Sequence, residues 1–338
     1  MLKPPKNRRP TQRSIAQKLG LSVATVSRAL SGDPLIALET RKLVADTANA
    51  LGYVPDRAAQ RLRTGRTNVI SLVLPAHEEI LGFGNSLVRG IFTALGHSHY
   101  HLVVMPTFDT EAADATVRRI VQNGLADGIL LSRTEPNDIR IRYLIENDFP
   151  FVSHGRTELA TPHPFVDFDN YGFAYQSVHR LVAAGADKLM ILLPQEHLTF
   201  HHHLKQGFMA AVRETGVSYE NISSVTLDSP PEDIAAAIKT RFAESAPPDG
   251  LILPGDTSAL ATLAALDDIG LKPGKDVFIT TKQTSGAFDF VRPKIPSVFE
   301  DIAAAGELMA AYLVQRLEGA KAEDLQFVQT IEKGPQDE

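Results

Sequence analysis

Apolar residues recur at helical spacing over the first fifty positions. They then gather into short strand-length runs that alternate with amphipathic segments. From Gln12 to Leu19 the inward set is Ile15, Ala16 and Leu19, with Thr11 placed as an N-cap and Gly20 as the break. Leu21 fills the turn, and Ser22 caps a second predicted helix, Val23–Leu30, whose Val26 and Leu30 face inward. Ser31-Gly32-Asp33-Pro34 ends that helix. A third is expected over Leu38–Leu51, with Leu43, Val44, Thr47, Ala48 and Leu51 on one face and Gly52 as the left-handed closing residue. Two short helices around a glycine-containing turn predict a helix-turn-helix unit. Helices this short bury little surface, so the unit is a small domain.

From Asn68 onward the period changes. Strands are predicted at Val69–Leu74, Leu102–Met105, Gly128–Leu131, Phe151–Ser153, Lys188–Leu193, Gly250–Leu253 and Val277–Thr280. The intervening helices are Leu87–Leu95, Ala112–Gln122, Ile139–Glu146, Tyr171–Ala184, Leu204–Thr215, Ile234–Phe242 and Ser258–Ile269. This alternation predicts right-handed βαβ units and parallel sheets covered on both faces. Roughly 270 residues are too many for one such sheet with short loops, so two similar lobes with a cleft between them are expected. A cleft at the carboxyl ends of parallel strands is a natural seat for a small ligand.

Composition narrows the possibilities. The 338 residues are 43% hydrophobic and 22% charged, as in an ordinary globular protein. The chain contains no cysteine, which excludes disulfides and thiolate metal sites. The basic, Pro-rich start lacks the apolar core of a signal peptide, and no later run is long enough to span a bilayer. A cytoplasmic protein without membrane partners is expected. The net charge of −6 conceals a division: residues 1–66 hold 13 Lys and Arg against 4 Asp and Glu, a net of +9, and the remainder carries −15. A basic block suits phosphate neutralisation, but a solvated basic tail would show the same charge.

The second helix supplies the chemistry that charge alone does not. With its N-terminus in a major groove, Val23, Ala24 and Arg28 would reach base edges. Arg28 suits guanine O6 and N7, and Val23 and Ala24 suit thymine methyls. Ser22, Thr25, Ser27 and Arg13 are better suited to phosphates. The competing reading is a small helical bundle with no DNA role.

The run Ser-Ile-Ala-Gln-Lys-Leu-Gly-Leu-Ser-Val-Ala-Thr-Val-Ser-Arg-Ala-Leu, Ser14 to Leu30, resembles the headpiece of the LacI/GalR repressor family, as do Thr40-Arg41 and Leu51-Gly52-Tyr53-Val54-Pro55. Ala37 departs from the family's usual serine cap. The resemblance implies a small all-α headpiece over residues 1–54, a hinge over 55–66 and an α/β two-lobed, periplasmic-binding-protein-like effector and dimerisation domain over 67–338. Pro55 to Leu62 makes only about two helical turns and would be marginal alone. It is similar to the family's hinge helix, which orders when two copies pair on DNA. Leu62 then matches the minor-groove wedge, Ala58 and Ala59 permit close approach, and Arg57, Arg61 and Arg63 contact phosphates. A plain basic linker is the alternative.

More loosely, Asp127–Leu131, Val166–Asn170, Gly207-Phe208 and Gly255-Asp256 match effector-domain motifs. Candidate ligand residues follow the strands. Asp256 suits two sugar hydroxyls; Arg133, His154, Arg156, Lys282 and Gln283 suit donor roles; Phe83 offers an apolar face to a sugar ring. Leu204 stands where the family often has an arginine, so either His202, in the run His201-His202-His203, supplies the polar contact instead or the ligand differs from the commonest sugars. Adjacent histidines on a helix diverge and lack a matching carboxylate, so no metal or other cofactor is expected, and His97, His99 and His101 are expected at the surface. Leu81-Gly82-Phe83-Gly84 replaces the family's usual Asn-Pro-Phe-Phe, and with Lys282-Gln283 it is similar to an alphaproteobacterial subgroup that responds to α-glucosides.

The expected protein is a homodimeric repressor of double-stranded operator DNA, modulated by a small sugar-like effector in either the inducing or the corepressing sense. A solute-binding protein and a ligand-independent regulator are the alternatives. An enzyme is disfavoured because no nucleophile elbow, P-loop or zinc signature is present. Leu62→Ala is expected to weaken operator binding more than nonspecific binding, measured by titrating both duplexes at one salt concentration. Equal losses on both would remove the wedge role.

Overall fold

The computed structural model describes residues 10–54, 61, 65–75, 83–96, 98–107 and 112–331. The chain divides into two compact units, residues 1–67 and 68–338.

The first unit contains α1 (Gln12–Leu19), α2 (Val23–Leu30) and α3 (Leu38–Leu51). A reciprocal box starts α1: the Thr11 side chain accepts from the Ser14 N–H, and the Ser14 hydroxyl accepts from the Thr11 N–H. Gly20 turns left-handed at φ 68°, and Ser22 Oγ receives the Thr25 N–H at 3.0 Å to start α2. Ile15, Ala16, Val26, Ala29, Val44 and Ala48 form the core. Leu43, expected to face inward, is exposed, because three short helices bury only the Val44, Thr47 and Ala48 stripe of α3. Ala37 leaves α3 without a side-chain cap.

The second unit is two parallel α/β lobes. The first sheet contains β1 (Val69–Pro75), β2 (His101–Thr107), β3 (Gly128–Leu131), β4 (Phe151–His154), β5 (Phe165–Phe168) and β11 (Gln326–Gln329), in the order β11-β5-β4-β3-β1-β2. Helices α4 (Phe83–Leu95) and α11 (Ile302–Leu317) share a core with Ile70, Leu72, Leu130 and Val152, while α5 (Ala115–Gln122) and α6 (Ile139–Glu146) pack with Val73, Ile129 and Leu131. Helices α4 and α11 touch backbone to backbone: a Cβ on Gly90 would lie 1.9 Å from the Ala303 carbonyl oxygen.

The second sheet contains β6 (Lys188–Ile191), β7 (Ser218–Asn221), β8 (Gly250–Leu253), β9 (Phe278–Gln283) and β10 (Ser297–Phe299), in the order β10-β9-β8-β6-β7. It is covered by α7 (Asn170–Ala183) and α8 (Thr199–Thr215) within one cluster, and by α9 (Pro231–Ala243) and α10 (Asp256–Asp268) within the other. The chain passes from the first lobe to the second between β5 and α7, and returns between β10 and α11. Gln329 ties both passages: its carbonyl accepts the Asp169 N–H at 3.0 Å, and its side chain accepts the Asp301 N–H at 3.2 Å.

Five elements lie outside the predicted pattern: β5, β7, β10, α11 and β11. These short strands lack the continuous apolar run that marks β3, β6 and β8, and α11 is apolar on several sides. Helices α4, α8 and α10 begin earlier than expected, at Phe83, Thr199 and Asp256. Phe83 and Gly84 are therefore helical rather than part of a loop, while Leu81 and Gly82 lie outside the described residues. Lys282 and Gln283 end a strand rather than follow one. Among the described residues no helix is long and apolar enough to cross a membrane. Ala37→Ser is expected to stabilise α3 by about 1 kcal/mol. Amide exchange over Leu38–Leu51 should slow accordingly, and unchanged rates would mean that the serine forms no cap.

Candidate functional site

The first unit presents one chemically distinct surface. Buried Val26 and Ala29 hold α2 against the core, which turns Val23, Ala24 and Arg28 outward. Arg13 is exposed on α1 and Ser27 is half-buried. The hydroxyls of Ser22 and Thr25 are 2.8 Å apart. Arg28 donates its Nε–H to Asp33 at 2.8 Å. Arg61 is exposed, whereas Arg57 and Leu62 of the expected hinge lie outside the described residues.

In the second unit, carboxyl ends of strands from both sheets surround a cavity of about 150 Å³. Asp256, the first residue of α10, is 1% exposed. Its Oδ2 accepts the Thr284 N–H at 3.0 Å and the Thr284 hydroxyl at 2.8 Å. Its Oδ1 is buried with no protein donor, at a helix N-terminus that favours negative charge. Ser132 Oγ and Thr199 Oγ1, also on the wall, are buried without protein partners.

Lys282 reaches into the seam between the lobes. Its Nζ donates to Asn170 Oδ1 at 2.9 Å, pairs with Glu300, and lies 4.4 Å from the Phe200 ring centroid. Glu300 also faces His154 Nε2 at 3.6 Å, and Phe83 meets the His154 ring edge-on at 5.4 Å. Arg156 pairs with Asp167 at 3.2 Å, with geometry too oblique for a hydrogen bond. Arg133, held at φ 55° in the left-handed region, bridges the cleft to Asp228 at 2.7 Å. The Arg140 side chain donates to the Arg133 carbonyl at 2.8 Å and helps hold that turn. Beside it the Thr199 N–H of the second lobe donates to the Thr134 carbonyl of the first at 2.9 Å.

Six of the eight sequence-derived candidates line this cavity: Phe83, Arg133, His154, Arg156, Asp256 and Lys282. The other two expectations are corrected. His202 turns outward, with Nε2 at 3.0 Å from the Glu196 carbonyl, and His203 lines the wall instead. The earlier start of α8 sets that register. Gln283 points away from the cavity, because strand alternation puts it opposite Lys282; it bonds Ser297 Oγ at 3.0 Å and accepts the Phe288 N–H at 3.1 Å. His201 is likewise occupied, with Nδ1 at 2.8 Å from the Pro194 carbonyl. Among the described residues no three His, Asp or Glu side chains gather as a metal site.

Sequence reading missed Asp167, Asn170, Phe200, Thr284 and Glu300. Asp167 and Asn170 sat in a recognised motif to which no ligand role was attached. Glu300 follows a strand that left no periodic signal.

Residues 67–333 match periplasmic binding proteins and the sugar binding domain of the LacI family, and residues 11–56 match bacterial regulatory proteins of the lacI family. The chain belongs to the LacI family. It is 33% identical to the HTH-type transcriptional regulator AglR of Rhizobium meliloti, over 78% of this chain and 75% of that one. It is 27% identical to CelR of Thermobifida fusca, over 96% of both. Among solved structures, the Lac repressor dimer bound to operator and an anti-inducer shares the fold with a TM-score of 0.81, at 17% identity and over 96% of this chain and 97% of that one. A CelR–cellobiose complex does so with a TM-score of 0.67, at 24% identity over 96% and 98%. Membership of the LacI family makes the chain a DNA-binding transcriptional regulator, and these relatives are regulators rather than enzymes.

His154, His163, His201 and His203 are all held below the ordinary histidine range, chiefly by burial. For His154 the carboxylates of Glu300 and Asp167 oppose this, and for His203 the Arg156 charge adds to it. The unfolded chain therefore binds more protons below about pH 6.5, and the second unit loses stability as pH falls through that value. Thermal unfolding from about pH 7 down to about pH 5 should show a falling midpoint. A midpoint that held steady or rose would mean that these histidines are protonated in the folded state.

Proposed function

We propose that this LacI-family regulator is a homodimeric, cytoplasmic repressor whose operator affinity is set by an uncharged, hydroxyl-rich effector of the sugar class, held in the cavity between its lobes. The buried, donorless Oδ1 of Asp256 carries the reading. A carboxylate oxygen in that state calls for a hydroxyl donor from the ligand. Charge balance argues against an anionic molecule. Lys282 is matched by Glu300, Arg156 by Asp167 and Arg133 by Asp228, so among the described residues no wall cation is left over for a phosphate or a carboxylate. Phe83 and Phe200 offer apolar surface for the C–H face of a sugar ring. The structural relative CelR, solved as a complex with cellobiose, favours a glucoside.

A regulator without a ligand would fill this cleft with its own side chains, and the open cavity opposes that alternative. On the DNA side, Val23, Ala24 and Arg28 read bases, and Ser22, Thr25, Ser27 and Arg13 hold phosphates. The basic hinge with Arg57, Arg61 and Leu62 sits at the operator centre. Effector and operator are linked, so each changes the other's affinity by the same factor.

A thermal-shift screen of neutral mono- and disaccharides against sugar phosphates and sugar acids tests the reading. A ligand at about a hundred times its Kd stabilises the fold by roughly 2.7 kcal/mol. Neutral sugars should raise the unfolding midpoint in the wild type and not in Asp256→Ala. A shift confined to the phosphates or acids would overturn the neutral-ligand reading, and no shift with any sugar would overturn the sugar class.

A further inference from the structure

The first unit carries only four acidic residues in its first 66 positions, and one of them, Asp33, stands beside Arg28 on the outward side of α2. An acidic group next to a phosphate-facing surface weakens DNA affinity. An exposed ion pair adds little to folding in return. The geometry around Asp33 is nonetheless well specified. The Arg28 carbonyl accepts the Asp33 N–H at 3.1 Å and the Ser31 hydroxyl at 3.0 Å. Gly32, at φ 74°, folds the chain back under the end of α2. Asp33 Oδ1 accepts the Leu35 N–H at 2.9 Å, and the Asp33 carbonyl accepts the Ile36 N–H at 3.1 Å. The backbone therefore sets the carboxylate independently of Arg28, leaving Oδ2 for the Arg28 Nε–H at 2.8 Å. Arg28 and Leu35 together hold the carboxyl below the ordinary aspartate range, so it is ionised at neutral pH. Among the described residues no acceptor within the protein engages the Nη groups of Arg28, which leaves that end of the guanidinium to a partner.

We propose that Asp33 is a positioning residue for operator recognition: it clamps Arg28 through Nε and aims the remaining donors of the guanidinium at one guanine. The proposal rests on Arg28 reading a base. A long exposed arginine otherwise samples many rotamers, and phosphates compete with base edges for its donors. A fixed carboxylate on one edge of the planar fork removes those alternatives, because the guanidinium is rigid and its donors hold a fixed mutual geometry. Asp33 thus favours specificity over raw affinity.

The test uses the full chain and an operator selected from a randomised duplex pool with the wild-type protein. Arg28→Ala first identifies the position whose base preference it relaxes. Asp33→Ala and Asp33→Asn are then measured on the operator, on a duplex altered at that position and on nonspecific DNA; thermal unfolding checks that the variants fold. Asp33→Asn retains an oxygen for the Leu35 N–H but lacks the charge. Both variants should lower discrimination at that one position by about three- to tenfold, a fraction of what a good bidentate contact supplies. Nonspecific affinity should hold or rise. In an Arg28→Ala background the same substitutions should leave discrimination unchanged. Unchanged or sharpened discrimination in the single variants would overturn the clamp, and a sharpened one would show that Asp33 sequesters Arg28 from DNA. A loss that persists without Arg28 would also overturn it, because Asp33 would then act through the turn. If Arg28→Ala relaxed no position, the base-reading role would fail, and the clamp with it.

Discussion

The second unit depends on keeping charge buried at the seam where its two sheets meet. Lys282 and Glu300 each retain about 6% side-chain exposure, with Asn170 and His154 completing their surroundings. Desolvating two charges is costly unless geometry and hydrogen bonds compensate, and removing one partner of such a pair typically costs about 3–5 kcal/mol. The contributors come from β9, the start of α7, the segment after β10 and the end of β4, which include both passages of the chain between lobes. The pair itself is set by the adjoining strands β9 and β10 of the second sheet, and His154 of the first lobe joins it only when the two lobes come together.

The same constraint defines the cavity. Strands that run parallel end their carboxyl sides on one rim, and two such rims face each other with polar groups that helices cannot cover. Ion pairs neutralise most of them. Asp256 Oδ1, Ser132 Oγ and Thr199 Oγ1 remain as buried groups without protein partners, so the wall is prepared for a molecule that brings hydroxyls. The Arg133–Asp228 bridge and the Thr199–Thr134 hydrogen bond hold the lobes together across the opening.

The DNA-facing unit follows another logic. Its core is six small or medium side chains, and its helix ends are closed by Thr11, Gly20, Ser22 and Gly52 rather than by extensive packing. Local rules suffice for such a unit, since caps and a single stripe leave few alternatives. Its outward chemistry is then set by whichever residues the stripe leaves exposed, Val23, Ala24 and Arg28 among them.

That difference explains what was legible in the residues alone. All three helices of the first unit were readable to the residue, because capping side chains and glycines mark their ends locally. In the second unit the long periodic helices and buried strands were readable too. The strands β5, β7, β10 and β11 were not, because they lack the continuous apolar run that marks the equally short β3, β6 and β8, and pairing alone makes them strands. Asp256, Arg133, Arg156, His154, Lys282 and Phe83 could be placed near the cavity because each lies at or near the end of a marked strand or the start of the following helix. His203 rather than His202, and Lys282 without Gln283, depended on where α8 begins and how far β9 extends. Glu300 acquires meaning only beside Lys282. Chemistry-bearing residue types and local boundaries belong to the sequence by itself; which of them meet across the seam was decided by tertiary structure, because facing side chains come from segments that only the closed fold brings within hydrogen-bonding distance.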